Sequence, residues 1–462
     1  MDFVSAPFLG FLAAVALLYA AAPRGWRCPL LVAASYAFYW SWSHWFTLLL
    51  LGSTLLAYTA ARAKSLALSA VSVLIAVLVV FKSLPLLGTN GLIPLGVSYY
   101  TFKLAGYLID VHWGAMEPER RLVPFLAYSA FFPQIVGGPI QRAQTFLPQV
   151  ESAAPISIST AACGALRIAL GFFKKFVIAD NLGQIVNYVY AHLGAHPGAP
   201  VALGFYGYPL QMYADFSGLT DIAVGAGVLL GIDSPENFNA PFSAPSPSEY
   251  WRRWHITLTL WMTDYVFTPL RMSSRNLGNA GLVLSLFLNM ILIGLWHGFY
   301  WTFALFGAVH AVYLSVDALT QKWRKRWYKS HRLADRVTDW VGPIVTFHLI
   351  GVAFVFFRAG DVATIGLMFR HLFDGWGPLS DQFQDIIDRP GCSVGVLAAA
   401  YILMEAADLL RRRLWPKRTL AAAVARWQRW SFYSCSALTM LLVVSLLITN
   451  KPESSPFLYA IF

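Results

Sequence analysis

The chain has 462 residues, 57% of them hydrophobic and 12% charged, and its mean hydropathy is +0.56. Soluble domains carry about 25% charged residues, so this composition excludes a soluble globular protein and predicts an all-α, polytopic helical membrane protein. The formal net charge of +11 is explained by membrane topology, because Lys and Arg gather on the cytoplasmic side, and we expect no nucleic-acid partner.

The first apolar run extends from Phe3 to Ala22. It has no basic segment before it and another apolar segment follows at once, so we interpret it as a retained first span and not as a signal peptide. The next apolar stretch, residues 29–58, is too long for one helix, and its centre, "WSWSHW", is typical of an interfacial aromatic turn between two spans. Basic residues follow the first and the third of these spans, which predicts an exterior N-terminus; they are Arg24, Arg27, Arg62 and Lys64.

Further along, from about residue 92 to residue 315, several apolar segments have the wrong length for simple spans and contain Pro or paired Gly. Broken or re-entrant helices are tolerated inside a membrane only where they are buried in protein or line a cavity. We therefore expect about 10–12 membrane segments, including broken or re-entrant helices, around a central funnel or tunnel. The whole chain, 1–462, is predicted to form a single integral membrane domain with its catalytic centre at about residues 200–315.

Two basic clusters in the last third of the chain, residues 321–332 and 411–418, are predicted to be cytoplasmic loops. Two apolar runs separate these clusters, so the acidic loop between the runs, residues 360–390, is expected to be exterior. The last apolar run, residues 431–449, then carries the chain outward. The tail, residues 450–462, is therefore predicted to begin at the exterior face.

Polar residues inside apolar membrane segments are costly, so they usually face a cavity or one another and indicate function. The stretch from residue 208 to residue 227 places Asp215, Ser217 and Asp221 in apolar surroundings. His297 lies in a long apolar segment beside Trp296, with no charged residue within ten positions. Two interpretations of His297 stay open at this point: a functional histidine, or a structural one whose neutral ring is bonded to a backbone carbonyl.

Two more histidines lie in this region. On a helix Trp251, Trp254 and His255 would share one face, which is typical of an interfacial aromatic belt as well as of a site. His310 follows His297 at a spacing that, on one continuous helix, would place it nearly on the opposite face, so we expect a structural role for it.

Several motifs are missing from these segments. They contain no HExxH, P-loop or GxSxG motif, and neither the histidines nor the four cysteines have metal-ligand spacing. This argues against a zinc protease and a nucleotide-driven pump. We expect no metal site and no bound cofactor.

The central part of the chain contains a series of longer motifs. They are "PLGVSYYTFKLAGYLID", "FFPQIVGGPIQR", "GFFKKFVIADNL", "YPLQMYADFSGLTDIA", "PENFNAPF", "YWRRWHITLTLWMTDYVFTPL" and "GLWHG". In this order they resemble the membrane-bound O-acyltransferase family, in the branch that contains the alginate O-acetylation membrane subunit and the teichoic acid D-alanyltransferase. The resemblance covers roughly residues 90–315, and "TFHLIGVAFVFFRA" extends it. It departs at "DYVFTPLRMSSRN", which lacks the Gly-Gly pair of the alginate-type members and leaves the acceptor polymer open.

The resemblance implies a multi-pass acyltransferase of the bacterial inner membrane, in the first place an O-acetyltransferase that serves an exported or cell-surface polysaccharide. Its donor would be a cytoplasmic thioester, either acetyl-CoA or an acyl carrier protein. His297 aligns with the family's essential histidine and is assigned as general base, because a buried neutral imidazole suits that work. His255 aligns with the family's second functional histidine and is expected to orient the nucleophile or to polarise the thioester carbonyl.

Other residues in these motifs are expected to contact substrates. Asp215 and Ser217 lie in the motif "YPLQMYADFSGLTDIA", and Trp296 directly precedes His297 in "GLWHG". Four cations are candidates for holding the phosphates of the donor if they face the cytoplasm, although anionic membrane lipid would explain them equally well. These cations are Arg252, Arg253, Lys174 and Lys175.

The chain ends in "SPFLYAIF", which is apolar although it is far too short to span a membrane. Interfacial anchoring by its aromatic rings is one interpretation. The F-x-Y-x-x-F spacing also resembles the terminal motif of the family's acyl-relay systems, which implies that the hydroxyl of Tyr459 is transiently acylated and passes the group to a periplasmic SGNH-type transferase partner. A phenol suits such a shuttle because its pKa, about 10, makes it a better leaving group than an alcohol.

Three other functions stay open on the sequence. A D-alanyltransferase of the same family would take its acyl group from a carrier-protein thioester. A transporter or flippase would bind and export its substrate without needing His297. A structural scaffold for a polysaccharide export complex would need neither histidine.

Overall fold

Helices account for all the regular secondary structure in the part of the chain that the structure describes. The structure is a computed structural model, and it describes residues 1, 3–88, 93–153, 156–195, 197–330 and 332–377, together with 398 and 401–402. The predictions for residues 378–390, for the cluster 411–418, for the run 431–449 and for the tail with Tyr459 lie outside these residues.

The helices of the first part of the chain are mostly short and are separated by short turns. In chain order they are α1 (Ala6–Ala21), α2 (Arg24–Trp40), α3 (His44–Ala60), α4 (Ala67–Ser83), α5 (Val97–His112), α6 (Leu122–Ala130), α7 (Phe132–Ile135), α8 (Ala143–Ser152) and α9 (Ile158–Phe173). The break between α2 and α3 falls within the predicted aromatic turn, where the Ser43 side chain caps α3 by accepting a hydrogen bond from the backbone N–H of Phe46.

As far as it is described, the second part of the chain contains longer helices and two π-helical segments. The α-helices are α10 (Asp180–Ala191), α11 (Ala199–Leu229), α12 (Pro247–Trp251), α13 (Ile256–Met262), α14 (Thr268–Ser273), α15 (Gly278–His297), α16 (Trp301–Ser330), α17 (Arg332–Arg358) and α18 (Val362–Phe373). The π-helical segments are Lys174–Ala179 and Thr263–Phe267, and short 3₁₀ turns are found at Lys64–Leu66, Leu84–Leu87, Pro241–Ser243 and Arg275–Leu277. Single-turn π segments are rare in proteins, and those that occur are often found at functional sites.

Four helical segments of the described residues are long and apolar enough to cross a membrane: Lys64–Leu87, Arg275–His297, Trp301–Trp327 and Trp340–Arg358. Shorter apolar helices accompany them. The predicted all-α membrane fold is therefore confirmed, whereas the number of membrane segments and the central tunnel stay predictions.

The sequence predicted a loop for the basic cluster at residues 321–332, but residues 321–330 of this cluster are helical. Helix α16 continues through residues 321–330. This stretch contains neither Pro nor Gly, and it is rich in Lys and Arg, which are good helix formers. The helix therefore extends past its apolar part into a charged end.

The chain divides into two compact units. Unit 1 contains Met1–Phe173 and Gly218–Glu236, and unit 2 contains Lys174–Ser217 and the described residues from Asn237 onward. The prediction of a single integral membrane domain stays a prediction.

Unit 1 holds one of the polar residues that the sequence singled out. Asp221 accepts a hydrogen bond from Nε of Arg167 at 3.0 Å, and the same guanidinium also binds Glu236. Because Asp221 lies on α11 and Arg167 on α9, this partly buried ion pair joins the two helices. Asp221 is thus part of a structural clamp in unit 1, whereas every residue of the site described below belongs to unit 2.

Candidate active site

His297 is the last residue of α15, and its side chain is only 5% exposed. Its Nδ1 lies 2.8 Å from the carbonyl oxygen of Ile293. Because a carbonyl oxygen only accepts hydrogen bonds, Nδ1 carries the ring proton, and Nε2 of the neutral imidazole keeps its lone pair. The exposed His348 makes the same bond to the carbonyl of Ile344, so this bond determines the tautomer but does not by itself indicate catalysis.

Aromatic rings surround the His297 imidazole. The ring centroid of Phe357 on α17 lies 4.9 Å away, and those of Phe303 and Phe306 on α16 lie 6.1 and 6.3 Å away. Helix α16 approaches α15 closely because Gly294 has no side chain: a Cβ there would overlap the carbonyl oxygen of Phe303. The imidazole is therefore buried among aromatic rings, where a charge is costly and a neutral base is favoured.

His255 is completely buried and lies directly before α13. Its ring centroid is 4.7 Å from that of Phe216 on α11 and 5.8 Å from that of Trp296. The Trp296 ring also lies 4.9 Å from His297. Trp296 therefore contacts both imidazoles, and the structure brings together three residues that the sequence predicted separately.

The backbone around both histidines differs from the helical arguments made on the sequence. Helix α12 ends at Trp251, and His255 has φ 41° and ψ 53°, a left-handed conformation, so Trp251, Trp254 and His255 do not share one helical face. All three side chains are nevertheless buried. Likewise α15 ends at His297 and α16 begins at Trp301, so His297 and His310 lie on two helices, and their spacing in the sequence does not separate them as it would on one helix.

His310 occupies a structural position. The indole N–H of Trp251 donates a hydrogen bond to His310 Nδ1 at 3.2 Å, and the Tyr250 ring stacks parallel to the imidazole. An indole nitrogen is a donor only, so Nδ1 is the acceptor here. The bond links α12 to α16, which agrees with the structural role expected for His310.

The predicted lysines are buried inside unit 2. Lys175 Nζ lies 2.9 Å from Oδ1 of Asp215, which is buried, and 2.9 Å from Oδ1 of Asp180, whose side chain is 9% exposed. Lys174 Nζ lies 6.0 Å from the centre of the Tyr213 ring, a cation–π contact. Asp215 is therefore an ion-pair partner of Lys175, and the Lys175 amine is directed toward carboxylates.

The two predicted arginines both bind Glu249. Arg253 binds this carboxylate at 3.0 Å and also donates to the carbonyl and hydroxyl oxygens of Ser243. The Arg252 side chain is 73% exposed and makes a longer contact, 3.2 Å, to the same glutamate. Of the four predicted phosphate-binding cations, Arg252 is thus the one most accessible to a ligand.

Ser217, on α11 beside Phe216, is buried.

The sequence reasoning missed several residues of this site. Phe216 lies between two residues that were singled out, Asp215 and Ser217, and Phe357 lies in the "TFHLIGVAFVFFRA" stretch. An apolar residue in an apolar helix carries no signal that separates a wall of a site from ordinary packing. Asn237 is different, because it is a buried polar residue in "PENFN" that bonds the start of α13 beside His255. Within the described ranges no group of three His, Cys, Asp or Glu residues could hold a metal ion.

Comparison with known proteins agrees with the sequence motifs. The model of the membrane-bound O-acyltransferase family, MBOAT, matches residues 119–357. The chain is 33% identical over 329 residues to the probable alginate O-acetylase AlgI of Pseudomonas aeruginosa, which covers 70% of this chain and 60% of the relative. It is 31% identical over 301 residues to a peptidoglycan O-acetyltransferase of Helicobacter pylori, covering 59% of this chain and 55% of the relative.

A third relative transfers a different group. The chain is 32% identical over 283 residues to the teichoic acid D-alanyltransferase of Bacillus subtilis, covering 57% of this chain and 68% of that protein. The part matched by the family model includes both candidate histidines, and the predicted family is confirmed, with its acyltransferase class. The chain belongs to the membrane-bound O-acyltransferase family.

Proposed function

We propose that this chain is a bacterial inner-membrane O-acetyltransferase in which His297 is the general base. The observation that carries the proposal is the state of His297: the Ile293 carbonyl holds the proton on Nδ1, so Nε2 is the basic nitrogen of a neutral ring in an aromatic pocket. A general base needs this protonation state before the reaction starts.

The chemical step follows from this tautomer. A substrate hydroxyl gives its proton to Nε2 of His297 while its oxygen attacks the carbonyl carbon of the thioester. The new C–O bond forms, the C–S bond breaks, and the thiolate that leaves takes the proton back from the imidazolium. His255, which shares Trp296 with His297, is placed to orient the hydroxyl or to polarise the thioester carbonyl.

The donor, the route and the acceptor form the finer part of the proposal. The donor is acetyl-CoA or an acyl-carrier thioester on the cytoplasmic side. The acyl group leaves through the exterior face, where the hydroxyl of Tyr459 receives it and a periplasmic SGNH-type partner passes it to an exported polysaccharide. The names of the relatives from Pseudomonas aeruginosa and Helicobacter pylori support an O-acetyl group and a polymer acceptor.

Substitution of His297 tests the base directly. His297→Ala and His297→Gln should lower acyl transfer by about 10²–10⁴-fold, the contribution of a positioned general base. Folded protein should remain in the membrane fraction. His348→Gln is the matched control, because it removes the same type of helical carbonyl bond from an exposed histidine, and it should leave activity unchanged. Normal polymer acetylation in a well-expressed His297→Ala strain would exclude His297 as the base.

Substitution of His255 is expected to have a smaller effect on acyl transfer than substitution of His297. His255→Ala should reduce acyl transfer less than His297→Ala, because an orienting group contributes less than the base itself. If His255→Ala is the more damaging change, the two roles must be exchanged.

A D-alanyltransferase is the second candidate, because the relative from Bacillus subtilis carries that name. The purified protein should hydrolyse acetyl-CoA or transfer its acetyl group if our first proposal is right. Turnover only with D-alanine on a carrier protein would favour the second candidate. A transporter or scaffold would retain substrate export in His297→Ala, with acyl transfer absent in the wild type as well.

A further inference from the structure

Asn237 lies completely buried beside the start of α13, and none of the roles described so far uses it. Its backbone carbonyl accepts a hydrogen bond from the N–H of Ile256 at 2.9 Å. Its side-chain Oδ1 accepts from the hydroxyl of Thr257 at 2.6 Å and, more weakly, from the N–H of Thr257 at 3.4 Å. One asparagine therefore binds the two residues that directly follow His255.

The segment around Asn237 also binds the residues that precede His255. The N–H of Asn239 donates to the carbonyl of Arg253 at 3.0 Å. His255 is thus enclosed between two backbone bonds to one segment, residues 237–239, and its own carbonyl accepts from the N–H of Thr259 inside α13. These bonds determine where the chain enters and leaves His255.

The backbone of His255 needs this support. Its φ of 41° lies in the left-handed region, where the Cβ of any residue other than glycine is crowded. Such a conformation persists only where the surrounding structure over-determines it, and it is frequent at functional sites. Ala240, which directly follows the same segment, also has φ 41°, so both sides of this pairing hold an unfavourable backbone.

We propose that Asn237 is a positioning residue that locks His255 in its left-handed conformation and so holds the imidazole against Phe216 and Trp296. The lock consists of the Asn237 carbonyl and Oδ1, which accept hydrogen bonds from the first residues of α13. The expected effect of Asn237 on acyl transfer rests on the proposed function. The position of the His255 ring is a separate observable.

Three variants of this contact give a graded test. Asn237→Ala removes Oδ1, Asn237→Asp keeps an oxygen acceptor at the same place, and Thr257→Val removes the hydroxyl bond while the backbone N–H remains. Asn289→Ala is the control, since Asn289 is also a buried asparagine in unit 2 but lies on α15, where its side-chain amide is directed toward the sulfur of Met290.

The first measurement is the rate at which diethyl pyrocarbonate modifies His255 in the detergent-solubilised protein, followed by peptide mass spectrometry. In the wild type the fully buried ring should react slowly. Asn237→Ala should make it react several-fold faster, while Asn237→Asp and Asn289→Ala should match the wild type. If Asn237→Ala does not fold, Thr257→Val carries the test and should show a smaller increase.

The second measurement is acyl transfer. Asn237→Ala should lower kcat by about 10–10²-fold, as for a displaced group at a reacting centre, with little change in KM, and Asn237→Asp should restore it. Unchanged His255 reactivity in folded Asn237→Ala and Thr257→Val would overturn the lock. If His255→Ala retains full acyl transfer, the role of His255 in the proposed function fails, whereas the reactivity measurement still tests the lock.

Discussion

The buried ion-pair cluster of Lys175 allows a sharp test, because two roles of this lysine predict opposite results. The sequence made Lys175 a candidate ligand of donor phosphates. In the structure its amine bridges Asp215 and Asp180, with both N–O distances 2.9 Å. We therefore predict that Lys175→Met acts mainly on stability and not on donor binding.

The expected magnitude follows from the contacts. Removal of one partner of a buried ion pair costs about 3–5 kcal/mol, because the remaining charge stays buried without it. Lys175→Met belongs at the upper end of this range, since the single amine serves two carboxylates. Asp215→Asn leaves the Lys175–Asp180 contact in place, so it should cost less, about 1.5–3 kcal/mol, the worth of one hydrogen bond to a charged group.

The assay is the thermal midpoint of the detergent-solubilised protein, measured by gel filtration after heating, together with KM for the donor thioester. Lys175→Met should lower the midpoint more than Asp215→Asn does. Joint replacement by apolar groups, Lys175→Met with Asp180→Leu and Asp215→Leu, should recover most of the loss, because none of these three charges is then left without its partner. Arg252→Met, at an exposed cation, is the control and should leave the midpoint unchanged.

One result would refute this reasoning. If Lys175→Met leaves the thermal midpoint at the wild-type value and raises KM for the donor tenfold, which is about 1.4 kcal/mol of lost binding, the lysine serves the donor and the ion pairs are not its main role.

The remaining predictions concern packing, topology and the tail. Gly294→Ala should cost about 1–3 kcal/mol of stability by overpacking α15 against α16. Gly366→Ala is the control and should not destabilise the protein, because nothing lies within 4 Å of its Cβ position. Equal thermal midpoints for the two variants would contradict the close approach of α15 and α16. In intact cells of a cysteine-free background, a membrane-impermeant thiol reagent should label Asp374→Cys but not Lys325→Cys. The reverse labelling pattern would show that the predicted topology is inverted. Tyr459→Phe should abolish polymer acetylation while acetyl-CoA hydrolysis persists; normal polymer acetylation would leave the tail an anchor only.

Much of the fold class followed from local sequence. Hydropathy is a sum over neighbouring residues, so a window of about 20 residues is enough to recognise a membrane helix. The break between α2 and α3 was predicted in the same way, from an aromatic turn inside an overlong apolar stretch. The loop predicted at residues 321–332 was wrong for residues 321–330, because charge alone does not end a helix where the charged stretch contains no Pro or Gly.

His297 and His255 were selected from the sequence, but for different reasons. His297 stood out because a polar residue in a long apolar run is costly without a function. His255 had no such local signal beyond its tryptophan neighbours, and it became a candidate functional residue through the family resemblance. That both rings contact Trp296 could not be predicted, because it depends on the left-handed backbone at His255 and on the helix break after His297.

The lysines show most clearly what sequence alone leaves undetermined. Composition and motif order were sufficient for an all-α membrane protein of the O-acyltransferase family and for its two candidate histidines. Tertiary structure alone decided that Lys175 faces Asp215, 40 residues away, and that Asn237 holds the start of α13. The physical reason is that hydropathy and helix propensity are local sums, whereas the partner of a buried polar group is determined by which distant segments pack around it.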